Sequence, residues 1–112
     1  MNNIIKIGNQ EIAVKEYKGQ RVVTLKDIDT VHERAEGTAD RNFREHKEKL
    51  ISGEDYFFIS KSQNNEIRGL EVPNRGATVI TEQGYLMLVK SLQDDLAWEV
   101  QRKLVKYLLN AN

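Results

Sequence analysis

The sequence has no cysteine, one proline and no long apolar run. The lack of cysteine excludes disulfides, thiolate metal ligands and cysteine nucleophiles, and it is compatible with a reducing cytosol. The longest uninterrupted apolar stretch, residues 85–89, is far shorter than the roughly 20 residues that span a bilayer. The N-terminus lacks the apolar segment of a signal peptide. We therefore expect a soluble, cytoplasmic protein.

Net charge is also absent, because 17 basic and 17 acidic side chains cancel. No bulk positive field draws such a protein onto nucleic acid regardless of sequence, so any DNA binding must come from local placement of cations. A chain of 112 residues has the size of one domain. We predict a single domain over residues 1–112.

Catalytic and cofactor motifs are missing as well. The glycines do not have the spacing of a phosphate-binding loop, and no serine lies in a nucleophile-elbow context. Two histidines, His32 and His46, make a weak metal site without cysteine or paired spacing. The acidic pair Asp27 and Asp29 is explained by its position at a helix start. We expect neither an enzyme nor a bound cofactor or metal.

The N-terminal third has the pattern of strands that lead into a helix. Residues 3–7 and 11–17 flank a glycine-containing turn and predict a strand pair, and residues 20–23 predict a third strand. Thr24 can cap the following helix, and Asp27 three residues later completes a capping box. This first helix should end near Glu33.

A second helix is predicted over residues 38–50, with Thr38 as its N-cap after Gly37. A glycine-containing turn between two short helices is typical of a helix-turn-helix, whose second helix usually enters a DNA groove. Projection at about 100° per residue separates two faces. The inward face carries Ala39, Phe43, His46 and Leu50, whereas the candidate DNA contacts are Thr38, Arg41, Asn42, Arg44 and Lys49.

A hairpin over residues 56–72 should follow, with strands at 56–59 and 66–72 around a polar loop. A hairpin directly after a helix-turn-helix would act as a wing. Lys61 at its tip, Arg68 on its return limb and Arg75 just beyond are candidate groove or phosphate contacts.

The C-terminal part predicts a strand at residues 77–80, a core helix opened by Thr81, and a final helix capped by Asp94. The final helix has an apolar stripe on each of two opposite sides. The inward stripe comprises Leu96, Ala97, Val100, Leu104 and Tyr107, and the second comprises Trp98, Val105 and Leu109. The second stripe suggests a homodimer contact or a docking site for a C-terminal domain.

Five separated blocks carry a resemblance to a known family: VTLKDIDTVH at 23–32, EGTADRNF at 36–43, EDYF at 54–57, TEQGYL at 81–86 and DDLAWEVQRKLV at 94–105. Together they resemble the phage N-terminal domain family grouped with KilA-N and Bro-N, in the ORF-six N-terminal (ORF6N) branch. The resemblance covers residues 12 to 108 and keeps the blocks in order.

The resemblance implies an α+β DNA-binding module of phages, prophages and large DNA viruses, working in a bacterial cytoplasm. Its expected parts are small antiparallel strands, a helix-turn-helix-like pair, a hairpin wing and two C-terminal helices. Such modules often precede an antirepressor-type domain. This sequence ends at Asn112 without one, so it is either part of a longer protein or a stand-alone small protein.

Two functions follow as hypotheses. In the first, a transcriptional regulator or antirepressor contacts duplex DNA with helix 38–50 and hairpin 56–72, because arginine and asparagine suit the base edges of the major groove. The alternative to DNA contact is that this helix face is simply solvated, with its cations neutralised by Glu45 and Glu48. In the second, a protein-interaction module sequesters a repressor without touching DNA, through the stripe of Trp98.

Overall fold

A computed structural model describes residues 4–91 and 95–109 and has an α+β architecture of antiparallel strands and short helices. This agrees with the fold class that the sequence predicts. The strands are β1 (Ile4–Ile7), β2 (Gln10–Ala13), β3 (Lys15–Tyr17), β4 (Gln20–Thr24), β5 (Tyr56–Ile59), β6 (Ile67–Arg68) and β7 (Ala77–Ile80). The α-helices are α1 (Leu25–Val31), α2 (Thr38–His46), α3 (Glu82–Leu88) and α4 (Asp95–Leu109).

The first hairpin is shorter than the sequence predicts. Strand β1 pairs with β2 from Ile4↔Ala13 to Ile7↔Gln10, and the chain then changes sheet at Val14. The backbone N–H of Lys15 donates to the Tyr107 hydroxyl at 3.1 Å instead of continuing the pairing with β1. The single strand predicted over 11–17 is therefore wrong, because β3 belongs to a second sheet.

The second sheet has five strands in the order β5-β7-β4-β3-β6, and all neighbours are antiparallel. The predicted strands at 20–23, 56–59 and 77–80 are confirmed to within one residue. The sheet separates two hydrophobic clusters, because successive strand residues point to opposite faces. Val22 and Val79 contribute to one cluster, and Val23 and Ile80 to the other.

The predicted hairpin over 56–72 is wrong, because β5 pairs with β7 and β6 pairs with β3. A 3₁₀ helix at Lys61–Glu66 carries the chain from one edge of the sheet to the other. Within this 3₁₀ helix, the side-chain oxygen of Asn64 accepts the backbone N–H of Val72 at 2.7 Å. The predicted second limb is therefore bonded at Val72 to the 3₁₀ helix and not to a strand. Three strands, β7, β4 and β3, lie between the two predicted limbs in the order of the sheet.

Helix α1 begins with the predicted capping box. Thr24 Oγ1 accepts the N–H of Asp27, and the Asp27 carboxylate accepts the N–H of Thr24, both at 3.0 Å. The same carboxylate lies 2.8 Å from Lys15 Nζ, and both side chains are almost fully buried. The ion pair attaches the start of α1 to β3.

The last two helices complete the larger cluster. Thr81 caps α3 as predicted and accepts the N–H of Gly84 at 3.1 Å. The predicted core helix is covered on one side only, and Leu86 and Met87 on its other side are exposed. The predicted cap Asp94 lies outside the described residues.

The inward stripe of α4 is confirmed, since Ala97, Val100, Leu104 and Tyr107 are buried. Leu96 is half-buried against the same core. Within residues 4–91 and 95–109, no helix combines the length and apolar character needed to cross a bilayer.

Candidate nucleic-acid interface

The turn between α1 and α2 is a Schellman motif centred on Glu33, which has a left-handed φ of 54°. The N–H of Arg34 donates to the carbonyl of Asp29 at 2.9 Å, and the N–H of Glu33 donates to that of Thr30 at 3.2 Å. Helix α1 therefore ends at Val31, two residues before the predicted end. The turn fixes where the second helix can begin.

Asp29 joins the two helices directly. Its buried carboxylate accepts the backbone N–H groups of Gly37 and Ala39, each at 2.9 Å. The N-cap of α2 is therefore Gly37, and the predicted cap Thr38 is wrong, because its hydroxyl donates backwards to the carbonyl of Ala35 at 2.7 Å. The sequence-based view of Asp29 as a residue that merely suits its own helix dipole misses this role.

A second contact between elements holds α1 against α3. His32 Nε2 lies 2.6 Å from the hydroxyl of Tyr85, and both side chains are buried. Burial raises the pKa of Tyr85, so its hydroxyl stays protonated and is available as a hydrogen-bond donor. His32 is thus a packed core histidine.

The inner face of α2 packs against β5. Ala39 and Phe43 are buried, and the Phe43 ring meets the ring of Tyr56 edge-on at 5.0 Å. The α-helix ends at His46, and a 3₁₀ turn at Lys47–Lys49 follows, so the predicted helix over 38–50 is too long. His46 is exposed, contrary to its predicted place on the inner face, and its Nδ1 lies 2.9 Å from the carbonyl oxygen of Asn42.

The outer face of α2 carries exposed cations. Arg41 is exposed, and Arg44 is exposed but forms an ion pair with Asp40 at 3.0 Å. Lys47 lies 5.9 Å from the centre of the Phe43 ring. From Thr38 to Lys49 there are four lysines and arginines against three carboxylates, so this surface is only slightly positive.

The other predicted contacts in this region line two clefts beside neighbouring elements. Asn42 and Thr38 are half-buried and line a small cleft of about 10 Å³ together with Arg34 and Leu88. Lys49 is exposed and lines a separate groove of about 330 Å³ with α3 residues. Arg41 and Arg44 are therefore the members of the predicted set that project away from the helix pair.

The three predicted wing residues do not form one surface. Lys61 forms an ion pair with Glu71 at 3.0 Å, and Arg68 lies opposite Glu16 in the register of β6 and β3. Arg75 lies elsewhere, in an open groove of about 590 Å³ beside the N-terminal end of α2. Of the three, Arg75 is thus the residue that shares a surface with the helix pair.

The groove beside α2 also contains two residues that the sequence analysis missed. Lys26 at the start of α1 is exposed, and the Phe58 side chain is 58% exposed although it comes from a strand. Strand alternation does not signal this exposure, because Phe58 lies on the same side of β5 as Tyr56, which packs against Phe43. Asp40 and Glu36 line the same groove, so its charge is mixed.

A sequence profile of the ORF6N domain family matches residues 12–91. The matched range runs from β2 to the turn after α3 and includes the whole helix pair, whereas α4 lies beyond it. No curated protein and no solved structure matches the chain.

Proposed function

The chain belongs to the ORF6N domain family, and we propose that it is a phage-type regulatory domain that binds duplex DNA through α2. The observation that carries this proposal is the hydrogen bonding of Asp29. A buried carboxylate on α1 holds the first turn of α2, so the second helix is fixed on the first while Arg41 and Arg44 stay exposed. Rigid presentation of an outer face is what groove recognition requires.

The chemistry of this face fits DNA. Arginine guanidinium groups pair with guanine O6 and N7 in the major groove and also bind phosphates. Arg44 forms an exposed ion pair with Asp40, which is worth little in water, so phosphate can displace the carboxylate at small cost. The nearly balanced charge predicts that one domain binds with modest affinity, and the phosphate contacts of its arginines predict a noticeable salt dependence.

The groove that contains Arg75 extends the proposed interface. Arg75 and Lys26 line this protein groove beside the start of α2. If α2 enters the major groove of DNA, the flanking phosphates would lie next to these two cations. Lys61 and Arg68 are left out of the proposed contact set, because each faces a carboxylate away from this groove. Lys49, in the 3₁₀ turn that follows α2, stays a secondary candidate.

Fluorescence anisotropy of a mixed pool of labelled duplexes, at two salt concentrations, tests the proposal. We expect the Arg41→Ala, Arg44→Ala double variant to lose at least about tenfold in affinity and to depend less steeply on salt. The matched control is Arg102→Ala, Lys106→Ala, which removes the same charge from α4. Equal loss in both variants, or loss in neither, contradicts binding through α2.

The competing function is capture of another regulator without DNA contact. The exposure of Trp98 on α4 favours it, because large aromatic side chains often anchor protein interfaces. A folded domain that binds no duplex at low salt, but retains a bacterial regulator in a Trp98-dependent pull-down, would replace the DNA-binding proposal with this one.

A further inference from the structure

A groove of about 390 Å³ lies between α3 and α4, on a different surface from α2. Its apolar lining comes from Leu86, Trp98 and Val105. The side chain of Trp98 is 71% exposed, and Leu109 one turn beyond Val105 is 63% exposed. Val105 lines the groove but is half-buried against the core, so the second stripe is exposed at Trp98 and Leu109 and partly covered at Val105.

Among the described residues, the charged side chains that line this groove are all cationic. Arg102 and Lys106 are exposed, Gln101 is neutral, and the described residues that line the groove include no carboxylate. Glu99 on the same helix lies 3.5 Å from Lys103 and so has a cation of its own. An apolar floor with a cationic rim selects a partner with the complementary pattern.

We infer that this groove binds an amphipathic segment of another protein, with large apolar side chains flanked by aspartate or glutamate. The apolar side chains would pack on Trp98 and Leu86, and the carboxylates would reach the guanidinium of Arg102 and the ammonium of Lys106. Trp and arginine are the residue types that most often dominate binding energy at such contacts. The inference does not depend on DNA binding.

Charge disfavours a second copy of this chain as the occupant. Two copies that dock through this groove bring Arg102 and Lys106 of both chains together, and like charges in an interface oppose association. A homodimer through α4, which the sequence suggests, is therefore the alternative that the experiment has to detect.

The test uses the chain's single tryptophan as its reporter. The probe is a tryptophan-free helical peptide of about 18 residues, long enough to form a helix, with leucines on one face flanked by glutamates. Its matched control replaces each glutamate with lysine. We expect saturable quenching or a blue shift of Trp98 emission with the acidic peptide, and at least tenfold weaker binding of the basic one.

Charge reversal completes the test. The Arg102→Glu, Lys106→Glu variant should reverse the preference between the two labelled peptides, and Trp98→Ala should weaken binding of the acidic peptide at least tenfold by anisotropy. Equal binding of both peptides, or no binding of either, overturns the inference. The inference is also overturned if light scattering shows that the free domain is a dimer and that the Trp98→Ala variant is a monomer. Because no arm contains DNA, these results are separate from the test of α2.

Discussion

The carboxylate of Asp29 accepts the backbone N–H of Ala39 at 2.9 Å, so the second helix of the pair begins on a side chain of the first. Helix N-termini usually find their cap within a few residues. Here the cap comes from the preceding helix, and it couples the position of α2 to that of α1.

Replacement of Asp29 by alanine should lower the free energy of unfolding by about 2–3 kcal/mol, because two buried N–H groups lose their acceptor. DNA affinity should fall as well, although no exposed charge changes. Urea unfolding and anisotropy measure the two effects. The control is Glu36→Ala, an exposed carboxylate in the same turn, which should change stability by less than about 0.5 kcal/mol. Similar effects of the two substitutions would contradict the capping role.

Replacement of Asp40 by asparagine should raise DNA affinity about fivefold at low salt. The change releases Arg44 and removes a carboxylate whose repulsion of a nearby phosphate is worth on the order of 1 kcal/mol. Anisotropy titrations detect this. Glu99→Gln breaks the analogous exposed pair with Lys103 on α4 and should leave affinity unchanged. An equal increase in both variants would indicate a nonspecific charge effect.

Substitution of Gly84 by alanine should destabilise the domain by about 3 kcal/mol or more, although alanine is the better helix former. A Cβ atom at this position would lie 1.9 Å from the carbonyl oxygen of Asp55. Thermal unfolding compares this variant with Met87→Ala, which shortens an exposed side chain on the same helix and should cost about 1 kcal/mol or less. Equal melting temperatures would show that α3 can move away from Asp55.

Stability should fall as the pH rises above about 10. Burial raises the pKa values of Tyr85 and Tyr107, so the unfolded chain releases these two protons at a lower pH than the folded chain does. The loss can reach roughly 1.4 kcal/mol per pH unit for each tyrosine. Urea unfolding between pH 9 and 12 should show a shallower decline in the Tyr85→Phe, Tyr107→Phe variant. A slope equal to that of the wild type would contradict this account.

Elements set by neighbouring residues are predictable from the sequence, as the caps show. Thr24 and Thr81 bond to groups three residues away, and both caps are predicted correctly. Asp29 bonds to groups eight and ten residues away across a turn, so no local pattern assigns its role.

Pairing between distant strands is the part that local patterns miss. The aromatic strand β5 has a plausible partner at 66–72, but β7 takes that place through four residue pairs from Tyr56↔Ile80 to Ile59↔Ala77. Because β5 pairs with β7, the predicted hairpin wing does not form. Of its three cations, Arg75 shares a groove with α2, whereas Lys61 and Arg68 face carboxylates elsewhere.

The hydroxyl of Tyr107 lies 3.1 Å from the backbone nitrogen of Lys15 and 3.0 Å from the carbonyl oxygen of Val22, although 92 and 85 residues separate them in the chain. During translation the N-terminal strands leave the ribosome first. Most of the chain is then still to be synthesised before Tyr107, which bonds to them, is added. The hydrogen bonds of Tyr107 can therefore form only after translation has passed residue 107, and until then the early strands expose apolar surface that can associate with other chains.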